Sequence, residues 1–216
     1  NTYQVDPAMA AFAARASQGH IGRARGLATE EVSRTRRQSD LRSAISLRDI
    51  PSCMYAARDM VTEATTAANT RADELDSKED SQLRAAFGIE EGSRIIGSSK
   101  RNVDSAKKQL LNHQKTRRKR MIRDEVDRSL VDLLGLFRDI LIVQLDSPLE
   151  LINQEMRPSI ESFAARGNPA DTTRTLEAIE HARASIKANT PPLLAVESLM
   201  VSIKDPKLAS IHASMQ

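Results

Sequence analysis

The sequence predicts an all-α protein, and three observations support this fold class. Only eight glycines and eight prolines occur in 216 residues, too few for the many tight turns of an all-β fold. Aromatic residues make up 3% of the chain and tryptophan is absent, so aliphatic residues, alanine and methionine must build the core. Two long stretches carry apolar residues three and four positions apart, which is the spacing of one helix face. We therefore expect a helical bundle that contains a long antiparallel helical hairpin over about residues 51–145.

Three short helices are predicted before this hairpin. Asp6 is a good N-cap, and Pro7 suits the first position of the helix that follows. Gly19 can adopt the positive φ that ends a helix at low cost. Thr29, followed by two glutamates, predicts the cap of a third helix because first-turn acids suit the helix dipole. The predicted helices cover about residues 7–16, 20–28 and 29–43.

The hairpin begins at Pro51, with Asp49 or Ser52 as its cap. Alanine dominates the apolar stripe of its first helix, so a partner helix can approach closely and little area is buried. Glycines and serines over residues 88–99 predict a turn or mobile loop. The second helix is predicted over about residues 102–145, basic in its first half and apolar in its second. We expect a packed core at one end of the hairpin and a thin tip at the other.

Shorter helices are predicted after the hairpin. An Asp-Ser-Pro sequence at residues 146–148 breaks the second long helix. Pro158 predicts a kink in the next helix, and Gly167-Asn168-Pro169 marks a stop and restart. The predicted helices cover about residues 153–165, 169–188 and 193–203, followed by a tail to Gln216 that we expect to be frayed.

A dense run of basic residues lies in the second hairpin helix. If the turn centres near residues 92–93, Lys107 and Lys108 face acids of 73–80, whereas 117–120 face uncharged residues of 65–68. The run is then either a solvated helix face or a contact for phosphates or an acidic partner. No aromatic residues interleave it, so base stacking is not expected. The candidate contact residues are Lys115, Arg117, Arg118, Lys119 and Arg120.

Motifs for catalysis and for cofactor binding are missing from the sequence. It contains no phosphate loop, no G-x-G-x-x-G after a strand and no nucleophile elbow. Cys53 is the single cysteine and the four histidines are scattered, so we expect no disulfide and no zinc site. The longest apolar stretches fall short of the ~20 residues needed to span a bilayer. We expect a soluble, cytoplasmic protein without cofactor, metal or membrane partner. Its net charge of +3 permits contact with nucleic acid without requiring it.

Three stretches, in order, resemble the C-terminal part of the delta-prime subunit of the bacterial DNA polymerase III clamp loader, in its high-GC Gram-positive form. Ser17–Ala28 resembles the sensor-2 region of an AAA+ lid, and Arg123–Leu145 resembles a core helix of the collar domain. Ile186–Met200 resembles the closing segment, in which an Asn-x-x-Pro turn precedes a leucine-rich helix containing a glutamate, here Glu197.

The resemblance implies a fragment with the end of the lid at residues 1–28, a connecting helix at 29–48, the collar at 49–203 and a tail at 204–216. Collars of this family form a ring with gamma/tau and delta subunits, and the attached AAA+ modules place the sliding clamp on primed DNA. The delta-prime member does not hydrolyse ATP, so the fragment is expected to be an assembly module rather than an enzyme. The implied subunit-interface residues are Asn189, Pro191, Leu193, Val196, Glu197 and Met200.

The sensor-2 region departs from the pattern of ATP-hydrolysing relatives, in which an arginine sits three residues after the turn glycine. Counted from Gly19, that position is Gly22, and Arg23 is about 100° further around the helix. We favour this register, in which no nucleotide is sensed, over one in which Arg23 is the sensor. Two other interpretations stay open: the collar of a gamma/tau subunit, and a helical nucleic-acid-binding or regulatory protein with a helix–turn–helix at residues 7–28.

Overall fold

The computed structural model describes residues 5–88 and 98–208. Within these ranges all regular structure is helical, which confirms the all-α prediction. The α-helices are α1 (Pro7–Ser17), α2 (Ile21–Thr29), α3 (Glu31–Ile45), α4 (Ile50–Ala86), α5 (Ser98–Gln144), α6 (Arg157–Ala164), α7 (Pro169–Lys187) and α8 (Pro192–Lys204). One turn of 3-10 helix, Gln154–Met156, precedes α6. Most of the turn predicted over 88–99 and most of the predicted tail lie outside the described residues.

Local capping explains where the first helices begin and end. The Asp6 carboxylate accepts hydrogen bonds from the backbone N–H groups of Ala8 and Met9, at 3.0 and 3.2 Å. Gln18 and Gly19 both have positive φ, 50° and 86°, so the chain reverses between α1 and α2 as predicted for the glycine. His20 then caps α2, since its Nδ1 accepts from the Arg23 backbone N–H at 3.2 Å.

Two predicted helix signals act differently from our expectation. Thr29 does not cap α3, because its hydroxyl donates to the Arg25 carbonyl at 2.9 Å and prolongs α2 instead. Helix α3 therefore begins at Glu31 without a side-chain cap. Pro158 does not kink a helix. It lies in the first turn of α6, where a missing N–H costs no hydrogen bond.

The start of α4 combines both predicted caps. The Ser52 N–H donates to Asp49 Oδ1 at 2.8 Å, and the Asp49 N–H donates to Ser52 Oγ at 3.0 Å. This reciprocal pair satisfies two backbone donors that would otherwise lack partners at the helix N-terminus.

The chain divides into two compact units. Unit 1 comprises residues 1–61 and 127–216, and unit 2 comprises residues 62–126. Unit 1 therefore combines the predicted lid remnant and connecting helix with much of the predicted collar, whereas the outer part of the predicted hairpin is a unit of its own.

Unit 1 has an aliphatic core to which α5 contributes most. The Phe137 and Phe163 rings meet edge to face, with centroids 5.9 Å apart. A smaller cluster joins α1 and α2 through Ala13, Ala16 and Leu27. The fully buried large side chains of the main core include Leu130, Leu133, Leu136, Ile140, Ile160, Ile179, Leu199 and Met200.

Unit 2 consists of the later part of α4 packed antiparallel against the first part of α5. The seam on α4 is the predicted alanine stripe, with Ala64, Ala68 and Ala72 completely buried. Helix α5 contributes Val103 and Val126. Because these side chains are short, the apolar contribution to the stability of unit 2 is small.

Candidate functional sites

The predicted sensor-2 region lies in unit 1, and its arginine is already paired. The Arg23 side chain is only 9% exposed, and its guanidinium donates to the carboxylate of Asp132 on α5. Arg37 of α3 donates from Nε to the same carboxylate oxygen at 2.6 Å. One buried aspartate therefore holds two arginines. Gly22, the alternative sensor position, is exposed.

The pairing continues beyond Asp132. Arg37 also donates to Asn153 Oδ1 and, at 3.3 Å, to Glu155 Oε1. Its guanidinium carbon lies 5.6 Å from the centre of the Phe12 ring. Burial lowers the pKa of Arg23, while the neighbouring Asp132 carboxylate opposes that shift. Arg23 therefore serves an internal ion pair and does not present its guanidinium to a ligand.

Asp139 anchors the chain segment that follows α5. Its carboxylate is completely buried and accepts from the backbone N–H groups of Ile152 and Asn153, at 3.0 and 2.7 Å. The Asn153 side-chain amide donates to it as well, at 2.8 Å. Because Asn153 also contacts Arg37, a continuous polar network links α2, α3, α5 and this segment. We did not predict the network from the sequence, although aspartates within the apolar second half of α5 were its signal.

The predicted basic run on α5 is partly neutralised within unit 2. Arg117 donates to Asp76 and, from Nη2, to Glu79 Oε2 at 2.8 Å. Arg118 donates to Asp73 and Asp76, both at 2.7 Å. The prediction that 117–120 face uncharged residues is therefore wrong for these two arginines.

The error lies in the register of the two helices. Helix α4 ends at Ala86 and α5 begins at Ser98, but the ion pairs place Arg117 about two to three turns further along α4 than a turn centred near 92–93 requires. The two helices do not end at the same level, so the middle of their connection does not set the register. Lys107 and Lys108, which we expected to be neutralised, form no ion pair within the described residues.

The other three basic residues of the run remain on the surface. Lys115 and Lys119 are exposed, and no described acid pairs with them. Arg120 is also exposed, and its Nε lies 3.8 Å from Asp124 one turn later. Such an exposed pair contributes little to stability.

Acid should weaken unit 2 through Glu79. The hydrogen bond from Arg117 lowers the pKa of Glu79 from 4.5 to about 2. A carboxylate with a depressed folded-state pKa stabilises above its unfolded pKa, and this stabilisation disappears as pH falls through the folded value. Thermal unfolding followed by circular dichroism should show Glu79→Gln less stable than the parent chain at pH 6, with the difference vanishing near pH 2.

Glu74→Gln, an exposed neighbour on α4, should leave the pH dependence unchanged. An unchanged pH profile in Glu79→Gln would contradict the assignment.

The predicted subunit-interface residues divide between the surface and the core of unit 1. Asn189, Pro191 and Leu193 are exposed, and Glu197 is half-buried. Val196 and Met200, also predicted for the subunit interface, are completely buried in unit 1, so their side chains do not lie on its surface. Together with Leu199 and Ile203, these two residues form the α8 face that completes the core.

The opposite face of α8 is also partly apolar. Leu194 is 58% exposed and lines an open groove of about 340 Å³ with Val201 of α8 and Met54 of α4. Glu197, Ser198, Ser202 and Leu208 complete the lining of this groove. We refer to it as the α8 groove. Periodicity did not single it out, because apolar residues occur on both faces of the helix.

Other kinds of site find no support in the part of the chain that is described. Within residues 5–88 and 98–208, no group of three or more histidine, cysteine or acidic side chains could hold a metal ion. None of the described helices combines the length and the apolar character needed to cross a membrane.

The chain matches no known protein-family model, and neither curated proteins nor solved structures show a significant similarity to it.

Proposed function

We propose that this chain is a non-catalytic assembly part of a clamp-loader delta-prime subunit, comprising the end of the AAA+ lid and the collar. In this role it joins gamma/tau and delta subunits in the cytoplasm and helps them load the sliding clamp on primed DNA. The observation that carries the proposal is the exposed apolar face of α8. It lies on the segment that resembles the closing segment of the family.

The two faces of α8 support an assembly role. Val196, Leu199 and Met200 hold the helix in the core of unit 1, so the helix is firmly positioned. Leu194 and Val201 line the α8 groove on the other face. Exposed apolar surface rimmed by polar residues, here Glu197 and Ser198, is typical of protein–protein contacts.

The pairing of Arg23 supports a role without nucleotide. A sensor arginine must reach a phosphate, whereas Arg23 contacts Asp132. The same pairing disfavours both alternatives, because an ATP-hydrolysing gamma/tau subunit needs a free sensor and a DNA-reading helix needs free arginines near its N-terminus. We expect the purified chain to show no binding of ATP in calorimetry. Measurable affinity would count against the proposal.

Assembly can be tested with Leu194→Asp. A charge in the α8 groove should abolish association with gamma/tau and delta subunits, measured by size-exclusion chromatography with light scattering. Because Leu194 is largely exposed, helicity in circular dichroism should not change. Leu149→Asp is the matched control, since Leu149 is 60% exposed in unit 1 but lies outside the groove. If Leu194→Asp still associates, the α8 groove is not the assembly surface.

A further inference from the structure

Positive charge is concentrated on one helix of unit 2. Between residues 98 and 123, α5 has ten lysines and arginines but only one acid, Asp104. Three acids of the facing part of α4 pair with Arg117 and Arg118, namely Asp73, Asp76 and Glu79. Among the described residues of unit 2, most basic side chains of this stretch of α5 therefore have no ion-pair partner.

Four of these basic residues are aligned on the helix. At about 100° per residue, Arg101, Lys108, Lys115 and Lys119 fall within a sector of about 40°. Asn112 lies about 20° outside this sector. At about 1.5 Å per residue, the four residues extend over about 27 Å. We call them the cationic stripe.

The cationic stripe faces solvent. All four side chains are exposed, and none forms an ion pair within the described residues. Arg117, which contacts α4, lies about half a turn around the helix from Lys108. Asp104 is the one acid of α5 between residues 98 and 123. Among the described residues, no ion pair joins it to Arg101 or Lys108.

We infer that the cationic stripe binds the phosphate backbone of double-stranded DNA without reading its sequence. A straight row of point charges suits a straight polyanion, and duplex DNA carries about one charge per 1.7 Å of its axis. Phe87 is the only aromatic residue of unit 2, so a stacking platform for single strands is missing. Recognition of duplex RNA adds contacts to 2′-hydroxyls and to the shape of its wide minor groove, whereas the four members of the stripe are a single row of charges suited to phosphates.

This DNA contact goes beyond the proposed assembly role and does not depend on it. The stripe lies in unit 2, whereas the α8 groove lies in unit 1. A chain that fails to assemble can still bind DNA, and a chain that binds no DNA can still assemble, so the two tests have separate outcomes.

The experiment compares two triple variants of the full chain with equal loss of charge. In the first, glutamine replaces Lys108, Lys115 and Lys119. In the matched control, glutamine replaces three exposed basic residues of α4, Arg58, Lys78 and Arg84. Fluorescence anisotropy with a labelled DNA duplex of about 20 base pairs measures Kd between about 50 and 200 mM salt.

The parent chain should bind the duplex with an affinity that falls steeply with salt. The stripe variant should bind at least about tenfold more weakly, and its salt slope should be smaller by about 2.7, or about 0.9 for each lost phosphate contact. The control variant should stay within about twofold of the parent. An equal loss of affinity in both variants would overturn the inference, because binding would then depend on net charge and not on the stripe. Tighter binding of polyglutamate, of a single strand or of duplex RNA would overturn the assignment to DNA.

Discussion

Replacing Asp132 with alanine should destabilise unit 1 by about 3–5 kcal/mol, the usual cost of removing one partner from a buried ion pair. Asp132 is the shared partner of Arg23 and Arg37, and all three side chains are largely buried. Without the carboxylate, two guanidinium groups would lie close together with no charge between them. Their repulsion would add to the cost of their burial. Urea unfolding followed by circular dichroism measures the loss.

Two further variants separate charge from side-chain volume. Asp132→Asn keeps the shape and an acceptor but removes the charge. Its free energy of unfolding should therefore lie between those of the parent and the alanine variant. Asp59→Ala removes an exposed aspartate of unit 1 and should change the free energy of unfolding by less than about 0.5 kcal/mol. Equal stability of Asp132→Ala and Asp59→Ala would show that the network contributes nothing to folding.

Replacing Asp139 with alanine should also cost about 3–5 kcal/mol, for a different reason. Its carboxylate accepts from two backbone N–H groups and from the Asn153 amide. Each buried donor left without an acceptor costs about 1–3 kcal/mol. The variant should also weaken protection of the Ile152 and Asn153 amides in hydrogen exchange, because both lose their acceptor.

Arg138 provides the control for this second variant. It pairs with Asp139 at 2.9 Å, but its side chain is 40% exposed. Arg138→Ala should therefore cost about 1 kcal/mol or less. If it costs as much as Asp139→Ala, then the ion pair rather than the backbone contacts makes Asp139 important.

Helix boundaries could be predicted from the sequence because their signals are local. Asp6, Asp49 and Ser52 cap helices through atoms at most four residues away. Pro169 begins α7 as expected. The predicted roles of Thr29 and Pro158 were wrong because each residue type can act in two ways. Threonine can cap a helix or bond back to the preceding turn, and proline can kink a helix or begin one.

The candidate sites were harder to predict because their contacts join distant parts of the chain. Arg23 meets Asp132, and no local pattern connects the two. The pairing of Arg117 depends on the register of two long helices, which local sequence signals do not determine. Val196 is buried and Leu194 is exposed, although both are apolar. Because α8 has apolar residues on both faces, its hydrophobic pattern does not show which face packs in the core.

The alanine seam of unit 2 has a consequence for how its stability depends on temperature. The heat-capacity change of unfolding rises with the apolar area exposed and falls with the polar area exposed. Ala64, Ala68 and Ala72 expose little apolar area on unfolding, while the ion pairs of Arg117 and Arg118 expose polar groups. The stability curve of unit 2 should thus be flatter per residue than that of unit 1, with its large aliphatic core. Below the temperature of maximum stability, cooling would then weaken unit 1 more steeply than unit 2.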